Sequence, residues 1–146
     1  MSAKSELFEI SNGAISYECG SELVSSAQAV LDQLRKHSPR RVVLVLGGYA
    51  PEASETQTFV EWAQKHVAHI ESIICVQDPA LAESLEGAGA HVEQAEDRFA
   101  LTTLLDRLSS HQAELSLGVL SNGSFDVSFA VDEVFGTSLL PDLEKG

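Results

Sequence analysis

Two short glycine-containing stretches hold the residues whose types and order could do chemistry. In the first, the apolar run Val42–Leu46 meets Gly47, Gly48 and Tyr49, then a loop with Pro51, Glu52 and Glu55. In the second, the apolar run Leu115–Leu120 meets Ser121, Asn122, Gly123 and Ser124. Paired glycines after a buried strand allow a ligand to approach the backbone closely, or simply make a tight strand-to-loop turn. The residue types leave both readings open. Small hydroxyls and free backbone N–H groups at Ser121–Ser124 could hold an anion at a helix start, or form an ordinary turn and helix cap.

Neither stretch is a nucleotide motif. A phosphate-binding P-loop closes on Gly-Lys-Ser/Thr, and a dinucleotide fingerprint needs a third glycine at fixed spacing. Both are missing, so ATP hydrolysis by this chain and a bound cofactor are not expected. The loop after Gly48 carries acids where a phosphate or carboxylate site would carry a cation. Glu52 and Glu55 would instead face a cationic or neutral group, and a basic protein segment is the partner that suits them. They also read as a solvated acidic surface.

Other reactive side chains give less. His66 and His69 stand three apart, a spacing metal sites use, but no third ligand is clustered with them, so no metal site is expected. No nucleophile-elbow pattern surrounds any serine. Cys19 and Cys75 are isolated, which reads as two free thiols in a reducing cytoplasm, serving packing.

Charge excludes whole classes of partner. With 22 acidic and 9 basic residues the formal charge is −13, a field that repels nucleic acid and anionic membranes. No secretory signal is evident, and the apolar runs fall far short of the about 20 residues that span a bilayer. The expectation is a cytoplasmic protein of one domain over residues 1–146, with 141–146 a loose tail.

The elements that must position these residues follow from periodicity. Alternation on both sides of Ser11-Asn12-Gly13 predicts a hairpin. Ala27, Val30, Leu31 and Leu34 predict a helix with a serine cap in front and Pro39 as its stop. Val42–Leu46 does not alternate, as expected of a central parallel strand. A helix through Phe59, Val60, Ala63 and Val67, flanked by Trp62, leads to the strand Ser72–Val76. Asp78 and Pro79 start the next helix, with Leu81, Leu85 and Ala88 inside and Gly87 or Gly89 at its end. A short strand over 90–94 and a helix through Leu101, Leu104, Leu105 and Leu108 precede the strand Leu115–Leu120. Residues 125–135 fit either period, and a helix is favoured because a crossover is due.

This alternation predicts an α/β, Rossmann-like three-layer domain: a mostly parallel sheet with an N-terminal β-hairpin. Ligands of such sheets sit outside the carboxyl ends of the strands. Gly47–Glu55, the turn at Gln77-Asp78, and Ser121–Ser124 should therefore meet at one edge.

In this order the segments resemble the C-terminal domain of the Mur ligases, ATP-dependent enzymes that add amino acids to peptidoglycan precursors. The resemblance rests on the hairpin and helix, "RRVVLVLGGY", "DPALAESLEGAGAHVE" and "LGVLSNGSFD". The last is similar to the Ser-Asn-Gly-Gly-Phe ending of one branch and the Ser-Phe-Asp of another. Two motifs of the family are missing. Tyr17–Glu22 lacks its Asn-Pro or His-Pro dipeptide, and Ala50–Glu55 replaces Asp-Lys-Gly-x-Asp-Phe. The resemblance also implies that the ATP-gripping loop and metal site belong to other domains. It therefore implies a stand-alone, non-catalytic module that binds a protein or small ligand. Its rivals are the substrate-binding part of a split or excised amide ligase, and an unrelated regulatory α/β domain that binds a metabolite.

Overall fold

The computed structural model describes residues 4–10, 13–20, 22–37, 42–111 and 114–139. The expected turn residue Asn12, the helix stop at Pro39 and the tail 141–146 lie outside them. Strand β1 (Lys4–Ile10) pairs antiparallel with β2 (Gly13–Cys19), Ile10 opposite Gly13, as the hairpin reading requires. Then follow α1 (Leu23–His37), β3 (Val42–Gly47), α2 (Ala53–Lys65) and a 3-10 helix (Val67–His69). The rest is β4 (Ile70–Val76), α3 (Pro79–Gly87), β5 (Val92–Ala95), α4 (Arg98–His111), β6 (Leu115–Ser121) and α5 (Phe125–Phe135). The six strands form one sheet in the order β1-β2-β6-β3-β4-β5, parallel from β2 onward. The α/β expectation and the parallel arrangement of β3, β4 and β6 are borne out.

The sheet separates two cores. Helices α1, α2 and α3 cover one face, packing Leu31, Leu34, Phe59 and Leu85 onto Leu44, Leu46 and Ile73. Helices α4 and α5 cover the other, packing Leu101, Leu105, Val127 and Val131 onto Val43, Val45, Ile74 and Val119. Every residue of β3 and β6 is buried because successive side chains enter opposite cores. That is why these strands show no alternation in sequence.

Tertiary contacts moved several element details. The α1 helix begins at Leu23, so Ser25 and Ser26 lie inside it, and the Ser26 N–H donates to the Glu22 carbonyl (2.9 Å). The expected serine cap is therefore displaced, and Ser26 is buried instead. The α2 helix stops at Lys65, where the His66 N–H tightens back onto the Ala63 carbonyl. Val67 falls in the 3-10 turn and is half exposed, contrary to its expected core role. Trp62 is no flank: it is buried, stacks on Phe59 and donates Nε1–H to Gln28 Oε1 at 2.7 Å. The α5 segment is helical as favoured, but Val127, Ala130 and Val131 form its inner face while Phe125 points outward.

Candidate functional site

Parallel registry sets the carboxyl edge. Cys19 of β2 and Gly47 of β3 both pair with Ser121 of β6, and Val76 and Ala95 continue the row beyond Gly47. The helix after β6 leaves on one face, while those after β2 and β3 leave on the other. The loops after β6 and its neighbours are thus the crevice where such sheets bind ligands.

The two glycine stretches do meet, but backbone against backbone. The Asn122 N–H donates to the Gly47 carbonyl at 3.1 Å. Gly48 has φ +84°, and a Cβ built there would stand 2.6 Å from the Asn122 carbonyl oxygen. A Cβ on Gly47 would stand 2.7 Å from Val127 Cγ2. The close approach these glycines allow is therefore to the neighbouring loop and α5. Ser121 and Ser124 also have local tasks: the Ser121 hydroxyl accepts from the Ser124 N–H, and the Ser124 hydroxyl caps α5 by accepting from the Val127 N–H. Asp78 caps α3 through the Leu81 N–H.

Tyr49 leaves the junction toward α1. Its hydroxyl is buried beside Ser26 without a well-formed hydrogen bond, and burial pushes it up to about 12. Glu18, a carboxylate only 4% exposed, and Cys19 lie near enough to raise it further.

Open space lies on either side of the closed junction. On the α5 face is a cleft of about 420 Å³, lined by Tyr17, Cys19, Ser121, Gly123, Ser124, Phe125 and Ser128, with Glu6 on its rim. Burial raises the Tyr17 phenol, as does Cys19, while Ser128 and Ser121 pull it down. On the opposite face a concavity of about 240 Å³ lies between the starts of α1 and α2, lined by Glu22, Ser25, Ser54, Glu55 and Thr58. Glu55 thus serves this second hollow, apart from the Ser121–Ser124 cleft. Glu52 is exposed at the N-cap of α2 and Glu55 in its first turn, where carboxylates complement the helix dipole.

A third feature was not foreseen. Arg98 opens α4 with its guanidinium carbon 4.7 Å from the Phe99 ring centre, 5.8 Å from Phe125 and 5.3 Å from Phe129. Asp126 holds it at 3.7 Å and accepts from Gln77 Nε2 at 2.8 Å, so the Gln77 turn reaches the first turn of α5. Phe99 and Phe125 are 63% and 51% exposed. Sequence patterning could not reveal this cluster, because its members sit at two helix starts far apart in the chain.

The expected fates of the thiols divide: Cys75 is core, with burial pushing its thiol up to about 12, whereas Cys19 is exposed and lines the cleft. His66 rests on Trp62 with ring centres 4.7 Å apart, and burial lowers its pKa. Among the described residues no group of three or more His, Cys, Asp or Glu is placed to hold a metal, and no helix is long and apolar enough to cross a membrane.

Fold and edge together define a Rossmann-like α/β domain with two hollows at the carboxyl end of its sheet. Its structural likenesses are to Mur ligases. One is a domain from a protein described as a UDP-N-acetylmuramate:L-alanyl-γ-D-glutamyl-meso-diaminopimelate ligase, of Haemophilus ducreyi. It is 15% identical with TM-score 0.57, over 88% of this chain and 94% of that one. MurF from Acinetobacter baumannii is 16% identical with TM-score 0.65, over 90% of this chain and 30% of that one. The murein peptide ligase Mpl of Psychrobacter arcticus is 10% identical with TM-score 0.63, over 93% and 30%. No protein-family model matches the sequence, and no curated protein matches it. The chain has the fold of a Mur ligase C-terminal domain and spans under a third of those full-length ligases.

Proposed function

We propose that this domain is a non-catalytic binding module that takes a basic protein segment along its carboxyl edge. One observation carries the reading: Glu6, Glu22 and Glu55 line the two hollows of that edge, and among the described residues lining them there is no lysine or arginine. Carboxylates gathered at the edge attract a basic segment, and the formal charge of −13 steers it inward. The glycine pair, which could have served a phosphate, is occupied by Asn122 instead.

The test is chemical-shift mapping with a labelled lysine-glycine-serine dodecapeptide at low and moderate salt. Shifts should concentrate at Glu6, Glu22 and Glu55 and fade as salt screens the attraction, and Glu22→Gln with Glu55→Gln should slow association severalfold. Perturbations spread evenly over the surface, or none, would overturn the reading.

The second reading, a ligase part that works with domains on another chain, is favoured by the likeness to one domain of MurF and Mpl. Calorimetry with the tripeptide L-alanyl-γ-D-glutamyl-meso-diaminopimelate distinguishes the two. Saturable binding of that anionic peptide at the β6 loop would replace the first reading with the second.

A further inference from the structure

We infer that the Arg98–Phe99–Phe125 cluster is the anchor point of that segment, gripping an aliphatic side chain flanked by basic residues. The inference deepens the proposed reading and rests on it. Two of the four large hydrophobics that are exposed among the described residues, Phe99 and Phe125, lie around one guanidinium. Exposed aromatic surface gathered in one place marks an interaction site more often than scattered apolar residues do. Aromatic and arginine side chains in rigid settings are also the types that dominate binding energy.

Rigidity is visible in the supports. Arg98 stacks on three rings and is held by Asp126, which Gln77 holds in turn. The Gln77 backbone is itself fixed at φ +58° with its N–H donating to the Ala95 carbonyl at 2.8 Å. The turn after β4 and the starts of α4 and α5 thus meet in one platform, and its arginine is already engaged by a carboxylate and by ring faces.

Charge selects the occupant. Exposed Glu96 and Asp97 directly precede Arg98, and exposed Glu133 lies one helical turn beyond Phe129. An apolar centre with an acidic rim fits an aliphatic side chain between lysines or arginines. A second copy of this chain brings another −13, so self-association through this surface is opposed. Phe125 is shared by the platform and the cleft that ends at Glu6, so an extended segment anchored on the rings continues into that cleft.

The test compares two fluorescein-labelled dodecapeptides by anisotropy: the lysine-glycine-serine peptide, and the same peptide with two central glycines replaced by leucine. On the wild-type chain the leucines should tighten binding about tenfold. Phe99→Ala with Phe125→Ala should erase that gain while leaving the affinity for the leucine-free peptide within about twofold. Phe99→Leu with Phe125→Leu should keep most of it, which separates a lost anchor from a lost fold. A leucine gain that survives the alanine pair overturns the anchor but leaves the acidic-edge reading standing. Failure of both peptides to bind overturns the two together. Sedimentation that shows a wild-type dimer abolished by the alanine pair, with no leucine gain, assigns the rings to self-association and also overturns the anchor.

Discussion

The β3–β6 junction and the β2–β6 cleft share strand β6 yet use it in opposite ways. At the junction, Gly47 and Gly48 press against Asn122, Ser124 and Val127, and every close approach is to the protein itself. At the cleft, Ser121 and Ser124 face a hollow of about 420 Å³ beside an exposed thiol and a buried phenol. The half of the edge built on the paired glycines is closed, and the half lined by Ser121, Gly123 and Ser124 is open. Glycine in a parallel sheet marks close approach of backbone, and the approaching group here is a neighbouring loop.

The largest effect should come from breaking the closed half. Gly48→Val demands a Cβ 2.6 Å from the Asn122 carbonyl at φ +84°, and should cost about 3 kcal/mol or more in urea denaturation. Gly123→Ala meets the same kind of positive φ, +76°, but with nothing within 4 Å, and should cost only about 1 kcal/mol. Equal losses at the two sites would mean that backbone conformation, and not the contact with Asn122, makes Gly48 necessary.

An intermediate effect should appear in alkali. Cys75 and Tyr49 keep their protons to about 12 in the folded chain, against ordinary values of 9.0 and 10.0. In both the folded value is raised, so their contribution to stability is fully present below about pH 9 and is lost as pH climbs toward 12. The limiting slope is about 1.4 kcal/mol per pH unit for each proton retained. Denaturation midpoints between pH 8 and 11 should fall, and Cys75→Ala should flatten the fall even if it lowers stability overall. Iodoacetamide should meanwhile label Cys19 in the native protein and reach Cys75 only after unfolding. Native labelling of Cys75 at a comparable rate would show that this core opens.

The smallest effect tests why the β3 loop carries acids at all. Glu52→Gln and Glu55→Gln should each lower stability by about 0.3–1 kcal/mol at low salt, because each removes a negative charge from the start of α2. The loss should shrink with added salt. A gain in stability would mean that repulsion among the acids outweighs the helix dipole, and that binding alone explains their presence.

Most of the fold was legible before any coordinates, for a local reason. The pattern of apolar residues reports which sides of an element are covered: Ala27–Leu34 and Leu101–Leu105 carry a helical period, and the unbroken run Val42–Leu46 reports burial on both faces. Misreadings arose where a contact from elsewhere overruled the local signal. Trp62 is drawn inside by Gln28 of α1, and Val67 is put outside by the early stop of α2. Phe125 leaves the core because Val127, Ala130 and Val131 already fill the space over β6. Of the candidate site, the shared carboxyl edge and the meeting of Gly47-Gly48 with the β6 loop were legible, since parallel strands end there, whereas Gln77 reaches Asp126 of α5 and Glu55 turns to the other face.

By itself the sequence determined the α/β order, the strands of the sheet, the acidic field, and the absence of P-loop and dinucleotide motifs, because these depend on composition and on neighbours along the chain. Only the tertiary structure decided that Gly48 is spent on Asn122, that Cys19 opens into a cleft while Cys75 is sealed, and that Arg98 gathers three phenylalanines. Each of those facts is a distance between residues remote in sequence, and strand order and helix placement set such distances through packing that no local pattern records.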